Sequence, residues 1–284
     1  MEIIETVEKM QNRADSFRAE GLTISLVPTM GFFHEGHLEI MRVVKKHCNK
    51  LVISIFVNPT QFGPSEDFDT YPRDLAGDFE KARNVGVDVA FTPSTEEMYP
   101  EGFQTNVHVD KVTRHLCGIS RPGHFDGVTT VVAKLFNITK PHLAGFGQKD
   151  YQQLTVISRM VADLNMDIQI LGVPTVRESD GLAMSSRNKH LNEEERKSAI
   201  CLKKSLDLAE RMFQEGQMNA GIIREAVESL IKEYPFTSID YVSLCDPATL
   251  ENVEELGDEV LLALAVRVGK TRLIDNLLLR KTEA

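Results

Sequence analysis

Two imidazoles three residues apart, His34 and His37, bracket Glu35 and Gly36 in the segment Pro28-Thr29-Met30-Gly31-Phe32-Phe33-His34-Glu35-Gly36-His37-Leu38. The run Ile24 to Val27 before it is apolar and reads as a buried strand. The residues after it, Leu38, Ile40, Met41, Val44 and Cys48, recur with a helical period. The histidines therefore sit where a strand feeds a helix. Backbone N–H groups at such a turn lack helical acceptors, and the helix dipole favours negative charge. Gly36 would let a ligand lie against the main chain, and the two rings would reach one anion with protonation states that vary near neutral pH. This is phosphate chemistry. The competing readings are an ordinary cap at a strand–helix junction and a metal site, although no third ligand follows at close spacing and no helical H-E-x-x-H pattern is present.

Three other strings carry polar groups at strand ends. After the apolar run 51–57 comes Asn58-Pro59-Thr60-Gln61-Phe62-Gly63, either a plain Asn-Pro turn or two amides able to hold a hydroxyl or carboxylate. Next comes Phe146-Gly147-Gln148-Lys149-Asp150-Tyr151-Gln152-Gln153, at another strand–helix junction. Asp150 and Gln153 have capping-box spacing. A lysine at the positive end of a helix, however, is electrostatically awkward unless an anion binds there, which singles out Lys149. The third string runs Val176 to Asn188 and holds an Asp180-Gly181 turn followed by Met184, Ser185, Ser186 and Arg187. It reads as a polar linker or as a loop that closes on phosphate. Arg121 and His124 precede a helix whose apolar continuation (Val128, Val131, Val132, Leu135) is core.

The elements that must position these groups follow from periodicity. Strand segments are expected at 24–28, 51–57, 87–91, 104–109, 142–146 and 167–171, alternating with helices at 3–19, 37–48, 73–84, 126–138 and 150–164. Short continuous apolar strands between amphipathic helices give an α/β, Rossmann-like doubly wound, mostly parallel sheet. Its ligands bind beyond the carboxyl ends of the strands, where the strand order reverses. Past Pro174 the texture changes. A helix from the Asn192 cap to about 215, another at 220–233, and β-like segments at 238–245, 258–268 and 271–279 make a smaller α+β domain. The expected division is 1–175 and 176–284.

The chain has 284 residues, a net charge of -10 and 42% apolar residues, with a mean hydropathy of -0.19. An acidic chain lacks the basic surface that nucleic acid or an anionic membrane requires. No run approaches the ~20 apolar residues of a membrane span, and the acidic start lacks the basic region of a signal peptide. Four scattered cysteines (Cys48, Cys117, Cys201, Cys245) form no C-x-x-C pair and read as reduced thiols, so a cytoplasmic setting is expected.

Taken together, the His-x-Gly-His turn and the Met-Ser-Ser-Arg loop resemble the nucleotidyltransferase superfamily that includes class I aminoacyl-tRNA synthetases. The four strings in order, Pro28 to His37, Asn58 to Phe62, Lys149 to Gln153 and Asp180 to Asn188, are similar to the pantothenate synthetase (pantoate–β-alanine ligase) family. Phe32, Phe33 and Gln148 depart from the residues usual in that family.

The resemblance implies ATP-dependent condensation of pantoate with β-alanine through a pantoyl adenylate. Mg²⁺ would accompany ATP, and the protein would be a homodimer. It also implies roles. His37, His34, Lys149, Ser185, Ser186 and Arg187 would serve the chemistry, with His37 as proton donor. Met30, Gly31, Phe32, Phe33, His34, Glu35, Gly36 and His37 would border ATP. So would Gly147, Gln148, Lys149, Asp150, Val176, Met184, Ser185, Ser186 and Arg187. Gln61 and Gln153 would hold pantoate, with Gln61 also beside β-alanine. The metal ligands are left open. Rival readings are another adenylyl- or cytidylyltransferase of the superfamily, and a non-enzymatic nucleotide-binding protein on the same scaffold.

Overall fold

The computed structural model describes residues 1–64, 66 and 68–281, which form two compact units. The first comprises Met1–Thr113, Gly118–Gln148 and Gln153–Pro174. The second collects Arg114–Cys117, Lys149–Gln152 and the chain from Thr175 onward.

In chain order the elements up to Pro174 are β1 (Glu2–Ile4), α1 (Val7–Ala19), β2 (Ile24–Thr29), α2 (Glu35–Lys45), β3 (Lys50–Ile55), α3 (Leu75–Asn84), β4 (Val89–Phe91), α4 (Thr95–Met98), α5 (Cys117–Ser120), α6 (His124–Thr139), β5 (Leu143–Gly147), α7 (Tyr151–Asp163) and β6 (Gln169–Val173). The six strands form one wholly parallel sheet in the order β1-β4-β3-β2-β5-β6. From β2 the chain winds outward through β3 and β4, then returns to place β5 on the other side of β2. The strand order therefore reverses between β2 and β5, and the turns leaving these two strands flank the crevice where such sheets bind ligands.

One face of the sheet buries Val27, Leu51, Ile53, Ala90 and Leu143 against Met41 and Val44 of α2 and Ala82 of α3. Helix α6 is apolar nearly all round and buried along most of its length, including Val128, Val131, Val132 and Leu135. The close seat of α2 depends on Gly145, where a Cβ would stand 2.2 Å from Val44 Cγ2. A side chain there would lift the helix, and with it the His34–His37 turn, off β5.

Two expectations fail in this unit. The helix expected over 3–19 begins only at Val7, because Thr6 caps it and Glu2–Ile4 instead pairs with β4. The extended stretch 104–109 joins no strand. Its main chain at Val107 is held by α6, with the amide donating to Thr130 Oγ1 (2.9 Å) and the carbonyl accepting from the Thr129 hydroxyl.

The second unit contains α8 (Glu193–Ala199), α9 (Cys201–Gln214), α10 (Ala220–Lys232), β7 (Thr237–Cys245), β8 (Glu259–Val268) and β9 (Thr271–Arg280). The strands form an antiparallel sheet in the order β7-β8-β9. Helices α9 and α10 cover one face through Leu202, Leu206, Phe213, Ile223 and Val227. The single helix expected from 192 to about 215 is two, broken at Ile200, whose ψ of -16° departs from the helical value. All four cysteines are free, and burial pushes the Cys201 thiol up to about 12 and Cys245 to about 11, so these two are inert. No helix among the described residues is long and apolar enough to cross a membrane.

Candidate active site

The turn after β2 is held from beneath by a residue that periodicity alone does not single out. Asp78 of α3 is only 1% exposed. Its carboxylate accepts from the amides of Phe32 (2.7 Å) and Phe33 (2.6 Å), and burial pushes it above the usual carboxylate range despite those bonds. Lys81, one helical turn on, donates to the Phe33 carbonyl at 2.8 Å. Gly31 has a φ of +83°, and a Cβ there would stand 2.9 Å from Asp78 Oδ2. The amides expected to face an anion along this turn are therefore partly committed to Asp78. The Glu35 and Gly36 amides open α2, where an amide has no helical acceptor. Phe33 is 3% exposed and packs into the core, and its amide ties the turn to Asp78.

His34 caps α2, and its ring lies 4.1 Å from that of His37. The His34 amide donates to His37 Nδ1 at 3.4 Å, so in the neutral ring Nδ1 accepts and Nε2 is the nitrogen able to donate. Glu35 is taken up in an ion pair with Arg42, which holds its carboxyl below the usual range.

Beyond β3, Asn58 acts as a buried hub. Its Oδ1 accepts from Thr60 and from the Tyr99 hydroxyl (2.8 Å), while its Nδ2 donates to Gln61 Oε1 and to the Gly127 carbonyl, both at 3.1 Å. Gln61 in turn directs Nε2 at Met30 Sδ, 3.0 Å away. Gly127 permits this packing, since a Cβ there would stand 2.4 Å from the Thr60 carbonyl oxygen. The Gln61 carbonyl accepts from Arg121 (3.3 Å) and contacts His124 Nδ1 (2.8 Å). Arg121 also grips both Glu66 oxygens at 2.6 Å. Arg121 and His124 thus support Gln61 from behind. A cavity of about 270 Å³ opens beyond β3 and β4, lined by Met30, Gly31, Phe56, Arg73 and Asp78 among others.

Burial opposes the Glu66 charge, yet Arg121 holds the carboxyl below the usual glutamate range. The stability this pair provides is present above the unfolded value of about 4.3 and is lost as pH falls through the lower folded value. Glu66→Gln should therefore flatten the acid limb. Between pH 6 and pH 3 the urea midpoint of the wild type should fall further than that of the variant. Parallel acid limbs would remove Glu66 from the account.

At the other side of the reversal, Gly147 ends β5 and Gln148 follows, its side chain packed beside Gly172 of β6. Gln153 lies in the first turn of α7. These residues, with Met30 to His37 and Gln61, belong to the first unit.

The second unit carries Lys149, Asp150, Val176 and Met184 to Arg187. Lys149 Nζ lies 3.4 Å from Asp150 Oδ1. Residues 176–184 form a tight hairpin in which the Met184 amide donates to the Val176 carbonyl and the Glu178 amide to Leu182. Arg196 clamps its turn through Glu178 (2.8 Å) and Asp180 (2.6 Å). Asn188 adds bonds to Glu178 and to the Ala183 carbonyl. Ser185 caps the 3-10 turn Ser186–His190 by accepting from the Arg187 amide. Gln152, which sequence reasoning passed over, is buried and ties Cys117 to His115.

The model of the family described as pantoate-beta-alanine ligase matches residues 2–278. The chain belongs to the pantoate–β-alanine ligase family. A pantothenate synthetase from Syntrophus aciditrophicus is 55% identical over 276 residues, covering 97% of this chain and 96% of the relative. The crystal structure of pantothenate synthetase from Thermus thermophilus superposes with a TM-score of 0.93 at 41% identity, covering 99% and 100% of the two chains. The pantoate–β-alanine ligase of Francisella tularensis, solved with β,γ-ATP and β-alanine, gives 0.80 at 33% identity, covering 98% and 97%. As a pantoate–β-alanine ligase, the chain joins a carboxylic acid to an amine. Whole-length agreement with these ligases displaces the reading as another nucleotidyltransferase.

Proposed function

We propose that the chain condenses pantoate with β-alanine in two steps on MgATP, and that the residues above divide the work. The observation that carries this reading is the family match over residues 2–278, which spans both units. In the first step a pantoate carboxylate oxygen bonds to the α-phosphorus and the bond to the β-phosphate oxygen breaks, releasing pyrophosphate. In the second the β-alanine nitrogen bonds to the activated carbonyl carbon. AMP departs with the oxygen it took from pantoate, and the amine gives up a proton.

Charge accumulates on phosphate oxygens in the first step, so the catalyst needs donors placed where it develops. His37 supplies its Nε2 proton and His34 the neighbouring ring, while Glu35 and Gly36 present the opening amides of α2. Lys149 and the Ser185-Ser186-Arg187 turn supply a cation, two hydroxyls and a guanidinium. Met30, Gly31, Phe32, Gly147, Gln148, Asp150, Val176 and Met184 border the nucleotide, with Asp150 accepting from ribose hydroxyls. Gln61 and Gln153 hold pantoate, Gln61 also serving β-alanine. This role for Gln153 excludes its capping role, since one amide cannot do both.

Among the described residues no three His, Cys, Asp or Glu side chains are grouped to hold a metal. Mg²⁺ dehydrates reluctantly and is commonly carried on phosphate oxygens, so it would arrive with the nucleotide substrate. The acyl adenylate needs no strong base if β-alanine arrives as the free amine, but it must be kept from water. The C-terminal unit, beginning near residue 176, serves as the lid. The protein acts in the cytoplasm as a homodimer.

Labelling tests the order of bonds. Pantoate carrying ¹⁸O in its carboxylate should transfer one labelled oxygen to AMP during turnover with β-alanine. Label found only in pantothenate would mean that pantoate is not adenylated.

A further inference from the structure

Strand β9 pairs with β8 in unbroken register from Thr271 to Arg280, so its side chains alternate strictly between two faces. Leu273, Asp275 and Leu279 face the core of the second unit and are buried. Asp275 is the single carboxylate on that face. It is 2% exposed and paired with both terminal nitrogens of Arg177, at 2.6 and 3.0 Å. Arg177 also donates to the Gly181 carbonyl at 3.1 Å, so the pair fastens the first arm of the 176–184 hairpin and its turn to β9.

The opposite face carries Arg272 and Asn276. Arg272 contacts Cys117 Sγ through both terminal nitrogens, at 3.5 and 3.6 Å. Asn276 donates from Nδ2 to the main-chain carbonyl of Lys149 at 2.8 Å. Cys117 and Lys149 lie in the two short segments, Arg114–Cys117 and Lys149–Gln152, that cluster with the second unit although the chain around them belongs to the first. The bond from Cys117 N to Gln152 Oε1 (2.9 Å) ties those segments to each other.

We propose that Asn276 is a positioning residue for adenylation, and that it acts through Lys149. Its amide fixes the carbonyl, and so the backbone direction, of the residue whose ammonium meets the phosphates. Asp275, one position away on the other face, fixes the hairpin that leads into Met184 to Arg187. One rigid strand therefore sets the cation and the hydroxyl–guanidinium turn in a common frame. A lysine side chain has four rotatable carbons, so an unfixed backbone would spread its ammonium over several ångströms. A misplacement near 1 Å is enough to lower a rate by ~100-fold.

This rests on the role assigned to Lys149 under Proposed function, and the experiment separates the two. Pantoate-dependent pyrophosphate–ATP exchange is measured for the wild type, Asn276→Ala, Asn276→Asp, Lys149→Ala and the Lys149→Ala/Asn276→Ala pair. Asn276→Asp keeps the volume and removes the donor. Both Asn276 variants should lose roughly 10- to 100-fold at saturating ATP, with the KM for ATP moving much less, because a misplaced cation is missed most in the transition state. In the Lys149→Ala background, removing Asn276 should change the residual rate by less than about 2-fold, since groups acting as a unit are not additive. Asn276→Asp at wild-type rate, or a double variant falling by the product of the single losses, would overturn the proposal. Wild-type exchange in Lys149→Ala would instead remove the role of Lys149.

Discussion

Lys149→Ala is expected to lower pantoate-dependent pyrophosphate–ATP exchange by about 100- to 1000-fold, the loss typical when one well-placed donor to a developing charge is removed. Lys149 sits in the 3-10 turn Gln148–Asp150, directly before α7, where the dipole is already positive. A cation in that position is uphill unless an anion joins it, so the residue should weigh on the phosphates more than on the fold. Its side chain is about one-fifth exposed, and its ion pair with Asp150 is long at 3.4 Å. The thermal midpoint should therefore stay within about 2 °C of the wild type, as for most surface replacements. Arginine at the same position should rescue poorly, because a planar fork does not reproduce a compact ammonium. Exchange within a few-fold of wild type in Lys149→Ala would place the phosphate cation elsewhere.

The second large effect falls on a residue buried beneath the turn. Asp78→Ala leaves the Phe32 and Phe33 amides without their acceptor, at a cost of about 1–3 kcal/mol for each buried donor left unpaired. It also releases the turn that ends in His34 and His37, so exchange should fall by ~100-fold through misplacement. Asp78→Asn is the sharper variant. It keeps the shape but turns an N–H toward at least one of the two amides, so it should be impaired nearly as much as alanine while keeping the packed volume. Measured together, chemical denaturation and exchange distinguish the cases. A stability loss with undiminished exchange would mean that Asp78 braces the fold and not the turn.

Asp78 also marks where sequence reasoning stops. The His34–His37 turn is legible because an apolar strand, two glycines and a helical period meet at one place. The same holds for the turn after β5 and for the antiparallel strands near the C-terminus. Periodicity, however, records what faces a core and not what a polar residue bonds to. Asp78 reads as one polar position on an amphipathic helix, and its partners lie 45 and 46 residues upstream. Asp275, Asn276 and Gln152 are hidden for the same reason. Each is a polar residue whose meaning is a long-range bond. The stretch 104–109 has strand composition, but Thr129 and Thr130 satisfy its backbone at Val107 before any strand does. At the N-terminus the reverse occurs, where Ile3 and Ile4 find an open edge at β4. Neither outcome is written in local propensity, because both depend on which backbone groups remain to be paired once the sheet has formed.

The glycines show the same limit from the other side. Gly127 and Gly145 interrupt helix and strand patterns where propensity alone would disfavour them. Their reason is contact. One lets α6 approach the Asn58–Gln61 turn, and the other lets α2 settle onto β5. Both bring a polar group of the site to its place, so the cost in local preference is offset by the position it secures.

Pantoate is activated as an acyl adenylate before β-alanine takes part. Pyrophosphate–ATP exchange, measured with pantoate and Mg²⁺ present and β-alanine absent, tests it most directly. Labelled pyrophosphate should enter ATP only when pantoate is supplied, and adding β-alanine should divert the same enzyme to AMP release. Folded protein that shows no exchange with pantoate, yet forms AMP once β-alanine is added, would contradict it.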